Sequence, residues 1–181
     1  FGGSCFPKDV AALIQTGEKA GYQMEIIRAA ARVNERQRLL MVEKIQAAVG
    51  DLKGKTIGML GLSFKPNTSD LRESPAVFIA ERLMSEGCQV RVYDPAALEE
   101  GARLLPKATI CTDPYDAARD ADALTLMTEW NQFRNLDFEQ IKALLRRPLF
   151  LDLRNVYEAD RMAALGFRYV SVGRPSREPG A

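Results

Sequence analysis

A chain of 181 residues, 46% hydrophobic and 27% charged, has enough apolar content for one good core and an appendage. Its net charge of +1 gives no reason to expect nucleic acid or an anionic membrane as partner, and no apolar run reaches the roughly 20 residues of a membrane span. The absence of histidine removes His general bases and His-ligated metals, and three widely spaced cysteines with no CxxC pair point to reduced thiols in a cytoplasmic setting.

The chain opens without methionine, inside the glycine-rich stretch Phe1–Asp9 (FGGSCFPKD), which reads as a piece of a longer polypeptide. Pro7 suits the first turn of a helix, Val10, Leu13 and Ile14 follow on one face, and Gly21 is a stop. The run from Met24 to Val49, closed by Gly50, reads as one long helix spanning roughly 35–40 Å. That exceeds what the following domain needs for one face. Its apolar positions, among them Ile26, Val33 and Leu40, are therefore expected to meet another helix in a subunit or interdomain spine. A boundary is placed between a helical segment, 1–51, and an α/β domain, 52–181.

Beyond Lys55 the pattern predicts strands at Thr56–Leu62, Gln89–Tyr93, Thr109–Thr112, Ala123–Thr128, Leu149–Leu153 and Arg168–Val172. Helices are predicted between them at Ala76–Ser85, with Ser74 and Pro75 as cap and first turn, and at Tyr115–Arg119, Phe138–Arg146 and Ala159–Leu165. Strands alternating with helices imply an α/β fold, a Rossmann-like doubly wound parallel sheet. The tail from Gly173 to Ala181, rich in Gly, Pro and Arg, is expected to be loose.

Two segments hold residues suited to chemistry. In the first, Gly2 and Gly3 permit close approach of backbone to a ligand. Cys5 stands just before a helix start, where orphan N–H groups favour a thiolate, with Lys8 adding positive charge and Asp9 about one turn away to handle a proton or a water. The same pattern also fits a small buried cysteine beside an ordinary helix cap. The second segment is the twelve-residue loop Ser63–Ser74, unusually long for a strand-to-helix connection and at the carboxyl end of a parallel strand, where such sheets bind ligands. Lys65 and Arg72 supply anion-pairing groups there, and Arg154 adds a cation after the strand Leu149–Leu153. Gly58 and Gly61 do not make GxGxxG, so this sheet lacks the usual dinucleotide signature. Asp94 ends the second strand, where a ribose-binding carboxylate sits in such folds, although Pro95 makes a turn role equally natural. Trp130, Cys88 and Cys111 read as packing residues.

Phe1–Asp9 (FGGSCFPKD), Gly61–Pro75 (GLSFKPNTSDLRESP), Val92–Pro95 (VYDP), Leu151–Tyr157 (LDLRNVY) and Ser171–Pro175 (SVGRP) together resemble the UDP-glucose and GDP-mannose dehydrogenase family, along essentially the whole chain. The resemblance implies an NAD-dependent oxidation of a nucleotide sugar's C6 alcohol to a carboxylate in two steps, with Cys5 as nucleophile and Asp9 assisting with water. It implies that Lys8 and Arg72 contact NAD, and that Gly2, Phe64, Lys65 and Arg154 contact the nucleotide sugar. It further implies a homodimer through the long helix, and an N-terminal NAD-binding domain outside this chain. The PNTSDLRESP and YDP stretches are closer to members acting on UDP-glucose than to those acting on GDP-mannose. An isolated piece of this kind is expected to bind UDP-sugar and dimerise without turnover.

Overall fold

In the computed structural model, described over residues 1–180, two helices precede the sheet. The first, α1 (Phe6–Lys19), starts on Cys5 as its flanking residue and takes Pro7 into its first turn, where a missing N–H is harmless. The second, α2 (Glu25–Val49), follows Met24, which adopts the left-handed region at φ 49°. Gly17 makes that turn possible, because a Cβ there would lie 2.3 Å from Cγ of Met24.

The last turns of α2 enter the core through Val42, Ile45, Ala48 and Val49. No basic residue lies in its last turn, so its terminal carbonyls are satisfied from outside the helix. Arg147 donates through Nη2 to the carbonyl of Val49 (2.6 Å), and Arg168 through Nη1 to that of Ala48 (3.1 Å).

The sheet has six parallel strands in the order β3-β2-β1-β4-β5-β6. They are β1 (Thr56–Leu60), β2 (Gln89–Tyr93), β3 (Thr109–Ile110), β4 (Ala123–Leu126), β5 (Leu149–Asp152) and β6 (Arg168–Ser171). β1, β4 and β5 are buried along their whole length, as expected of parallel strands covered on both faces. One face packs Ile57, Met59, Val92 and Leu151 against α2 and α3 (Pro75–Ser85). The other packs Leu60, Leu124, Phe150 and Tyr169 against three of the later helices. Those are α5 (Pro114–Ala118), α6 (Phe138–Leu144) and α7 (Ala159–Ala164), and Phe138 makes edge contacts there with Phe150, Tyr157 and Phe167.

The Rossmann-like fold matches the sequence reading, with three differences. The short helix α4 (Leu98–Leu104) and a 3-10 turn at Asn131–Asn135 had no signal strong enough to predict them. Most of the strands stop one or two residues early; β1 ends at Leu60 because Gly61 (φ 96°) turns the chain outward. The described part of the tail is tied down rather than loose, and Ala181 lies outside the described residues. Arg177 exchanges two backbone hydrogen bonds with Tyr169 (2.8 and 2.9 Å) and pairs through Nε with Asp160 (2.8 Å). This covers the free edge of β6.

Arg147 also donates Nε to the carbonyl of Asp122 (3.1 Å), so one side chain joins α2 to the start of β4. Arg147→Ala is expected to lower stability by about 2 kcal/mol, the scale of hydrogen bonds to a charged group. Urea denaturation should show a lower midpoint at unchanged slope.

Candidate functional site

The site is built on the connection from β1 to α3, which leaves the carboxyl edge of the sheet beside β2 and β4. Its take-off is fixed by Asp94, fully buried at the end of β2. The Oδ2 atom accepts from the backbone N–H groups of Leu62 (2.7 Å) and Ser63 (2.9 Å) and from Nε1 of Trp130 (3.4 Å). The Oδ1 atom accepts from the backbone N–H groups of Ala96 (2.9 Å) and Ala97 (3.0 Å). Five N–H donors occupy this carboxylate, so it has no capacity left for a ribose hydroxyl, and the turn reading of Asp94 is the right one. Trp130 is a packing residue, as read from the sequence.

The far end of the loop is closed by Ser74, whose Oγ donates to the carbonyl of Leu62 (2.5 Å) and accepts from the N–H of Ala76 (3.2 Å). Thr128, just beyond β4, donates Oγ1 to the carbonyl of Ser63 (2.6 Å). The loop is thus a closed platform rather than a free flap.

The cysteine segment lies on this platform. Gly3 has φ 85°, and a Cβ on it would fall 2.7 Å from the Phe64 ring. A Cβ on Gly2 would meet the carbonyl oxygen of Glu73 at 2.5 Å and Cδ of Pro75 at 3.0 Å. The close approach seen at these glycines is to the chain's own loop. Cys5 is exposed at the helix start, with the Ser4 hydroxyl 3.6 Å from its sulfur. The Asp9 N–H donates to the Cys5 carbonyl (2.9 Å), which places Asp9 one turn on, and Lys8 and Asp9 are exposed with no ion pair among the described residues. The alternative of a buried cysteine does not describe Cys5 in this chain. It holds for the other two: Cys88 and Cys111 are buried, and desolvation pushes each thiol up to about 11.

Four further candidates lie around this surface. Lys65 is exposed, its Nζ 5.3 Å from the centre of the Phe64 ring. Arg72 forms a two-bonded fork with Asp70, Nε to Oδ1 and Nη2 to Oδ2, each 2.9 Å. The Arg72 hydrogen bond is the largest cause holding the Asp70 carboxyl down at about 2, against the opposing effect of burial, and the Ser4 hydroxyl adds a smaller pull in the same direction. Because that pKa lies below the ordinary 3.8, the clasp is fully formed above about pH 4 and is lost only as pH falls towards 2. Arg154 follows β5 and makes a similar fork with Glu129, through Nε to Oε2 and through Nη2 to Oε1 (2.8 Å). Burial works to raise the Glu129 pKa, but the hydrogen bond and charge of Arg154 outweigh it and leave the carboxyl lowered. Arg154, Phe1, Arg38 and Met127 line one cavity of about 210 Å³.

The structure therefore brings Gly2, Cys5, Phe64, Lys65, Asp70 and Arg72 to one surface, with Arg154 on the β5 side of it. Asp70 and Glu129 were missed by sequence reasoning. The Asp-x-Arg spacing carried a signal for Asp70; Glu129 and Arg154, 25 residues apart, carried none.

A Rossmann-like parallel sheet, with an exposed cysteine folded onto its longest carboxyl-edge loop, defines an α/β domain of the nucleotide-binding class. Residues 58–159 match the UDP binding domain of the UDP-glucose/GDP-mannose dehydrogenase family, and residues 1–36 match that family's central domain. The chain belongs to this family. It is 44% identical over 176 residues to a UDP-glucose 6-dehydrogenase of Rhizobium meliloti, an alignment covering 97% of this chain and 40% of that protein. A UDP-glucose 6-dehydrogenase of Pseudomonas aeruginosa is 46% identical over 182 residues, with 97% and 40% covered. Among solved structures, a UDP-glucose dehydrogenase from Pyrobaculum islandicum superposes with a TM-score of 0.81 at 36% identity, over 96% of this chain and 37% of that one. The chain thus spans about 40% of the length of these curated relatives.

Burial separates the three thiols. In the native chain one equivalent, Cys5, should react with a thiol reagent within minutes at neutral pH, and the other two only after unfolding. Mass spectrometry of the labelled protein checks both the count and the site.

Proposed function

We propose that this chain is the C-terminal part of an NAD-dependent dehydrogenase that oxidises UDP-glucose to UDP-glucuronate, with Cys5 as its covalent nucleophile. The observation that carries this is the exposed Cys5 at the start of α1, held by Gly2 and Gly3 against the Ser63–Ser74 loop. The names of the relatives supply the substrate class. In this reading residues 1–51 are a central segment and residues 52–181 the UDP-sugar domain.

The nucleotide sugar lies over the loop, touched by the Gly2 backbone, Phe64, Lys65 and Arg154. The sulfur of Cys5 adds to the C6 aldehyde carbon, and the carbonyl oxygen takes up a proton to give a thiohemiacetal. Loss of hydride from C6, together with the hydroxyl proton to solvent, leaves a thioester on Cys5. Water, positioned by Asp9 one helical turn away, then attacks the thioester carbon and gives up its two protons to solvent; the carbon–sulfur bond breaks, the Cys5 thiolate is released and the carboxylate departs. NAD, when bound, supplies the hydride acceptor for both oxidations.

The residues present fit NAD at its margin. Lys8 and Arg72 are exposed cations close to Cys5, suited to phosphate oxygens, whereas Gly58 serves packing: a Cβ there would lie 2.4 Å from the carbonyl oxygen of Ala117. We therefore place the main NAD site in an N-terminal domain outside this chain, and expect no NADH production from the chain alone. Ile26, Val33 and Leu40, seven residues apart along α2, are exposed by 83, 65 and 36%, and this face pairs two subunits in our reading. The protein is cytoplasmic in the same reading, and no helix among the described residues is long and apolar enough to cross a membrane.

Calorimetric titration of the chain with UDP-glucose, UDP and GDP-mannose tests the substrate class. Binding that favours uridine ligands is expected, and preference for GDP-mannose would overturn the assignment. In the full-length protein, Cys5→Ala should abolish NADH formation while UDP-glucose still binds. Loss of binding with that variant would show Cys5 to be a packing residue.

A further inference from the structure

The two arginine forks of the site are held in the same way, and the way is informative. A guanidinium offers two flat hydrogen-bonding edges, a side edge of Nε with Nη2 and an end edge of Nη1 with Nη2. Asp70 takes the side edge of Arg72, and Glu129 takes the side edge of Arg154. Among the described residues neither arginine has a hydrogen-bond partner at Nη1.

The Asp70 carboxylate is itself anchored, and the backbone that carries Glu129 is tied down beside it in sequence. Asp70 accepts the Arg72 backbone N–H at Oδ1 (3.0 Å), and its own N–H donates to Oγ1 of Thr68 (3.1 Å). Glu129 directly follows Thr128, whose hydroxyl is tied to the platform. The Arg72 side chain is 69% exposed, yet its plane is set by two parallel bonds. An exposed arginine without such a partner samples many rotamers and loses that freedom when it binds. Here the ordering is complete before any ligand arrives, and the outer edge is left facing solvent.

We propose that Asp70 and Glu129 are positioning residues that grip the side edges of Arg72 and Arg154, so that the end edges are presented ready-oriented to ligand phosphate oxygens. This rests on the functional reading above: Arg72 serves the dinucleotide and Arg154 the nucleotide sugar. The two carboxylates thus divide the site's affinity between two ligands.

The test uses steady-state kinetics of the full-length enzyme together with calorimetric titration of NAD and of UDP-glucose separately, whose dissociation constants should follow the same pattern as KM. Asp70→Asn should raise KM for NAD roughly tenfold and leave KM for UDP-glucose and kcat within about twofold, on the scale seen when a side chain that orients a ligand-binding group is lost. Glu129→Gln should do the reverse, raising KM for UDP-glucose alone. Asp70→Glu and Glu129→Asp, which restore a carboxylate, should recover part of each loss. In an Arg72→Lys background, Asp70→Asn should add nothing further, because Asp70 acts only through the guanidinium. That cycle decides the matter even where a single variant is poorly folded. Tighter ligand binding by Asp70→Asn or Glu129→Gln would make the carboxylates competitors for the forks and overturn the proposal. So would unchanged KM values, or a parallel fall in kcat, both affinities and melting temperature. Failure of the functional reading would look different, as a wild-type enzyme that does not turn over UDP-glucose with NAD.

Discussion

The carboxylate of Asp94 organises the carboxyl edge of this domain. The fourteen-residue connection from β1 to α3 is long enough to move freely. Instead, two of its first backbone N–H groups end on one buried carboxylate, which also holds the start of α4 and the Trp130 indole. A buried charge is tolerated only when its lone pairs are met, and here five donors meet them. Ser74 closes the other end on Leu62, so that the loop is a rim rather than a flap. Everything assigned to ligand binding on this rim, from Phe64 and Lys65 to Arg72, inherits its position from those two anchors.

Cys5, the nucleophile of the proposed function, gains its position from both directions along the chain. Before it, Gly2 and Gly3 press the backbone against Glu73, Pro75 and Phe64 at distances no side chain would permit. After it, α1 leads into α2, whose last turns are built into the core and whose terminal carbonyls are held by Arg147 and Arg168 at the opposite edge of the sheet. Cys5 is exposed, yet it is attached to the same sheet at both edges. Covalent catalysis needs this combination of access and fixed placement.

Elements that follow from local chemistry were legible in the sequence. The apolar runs of β1, β4 and β5, the Ser74–Pro75 helix start and the Gly50 stop all act over a few residues, and all are legible, with only the strand ends set one or two residues too far. Features set by long-range contacts were not. The helix α4 carries Gly101 in its middle, a poor helix former, because a Cβ there would lie 2.7 Å from Leu62. The tail reads as loose by composition, but Arg177 finds the edge of β6. Asp94 reads as a turn or a ribose ligand, and only its five donors decide between them. Gly2 and Gly3 announce a close approach without naming what is approached. The Glu129–Arg154 fork joins residues with no pattern between them, so nothing local could have revealed it.

This sheet has the strand order of dinucleotide-binding folds, in which ligand enters the crevice where the order reverses, here between β1 and β4. In this chain that crevice is filled by the protein itself. A Cβ on Gly61 would strike Thr128 at 2.5 Å, Thr128 reaches across to the Ser63 carbonyl, and the Trp130 indole closes over Asp94. The glycines of β1 and its end are consumed by packing, Gly58 against α5 and Gly61 against Thr128, rather than by a diphosphate. The proposed binding surface accordingly lies outward, on the rim formed by the long loop and the cysteine segment. A fold built to hold a dinucleotide in its cleft becomes, by plugging that cleft, a rigid block that presents a ligand surface outward, beside Cys5.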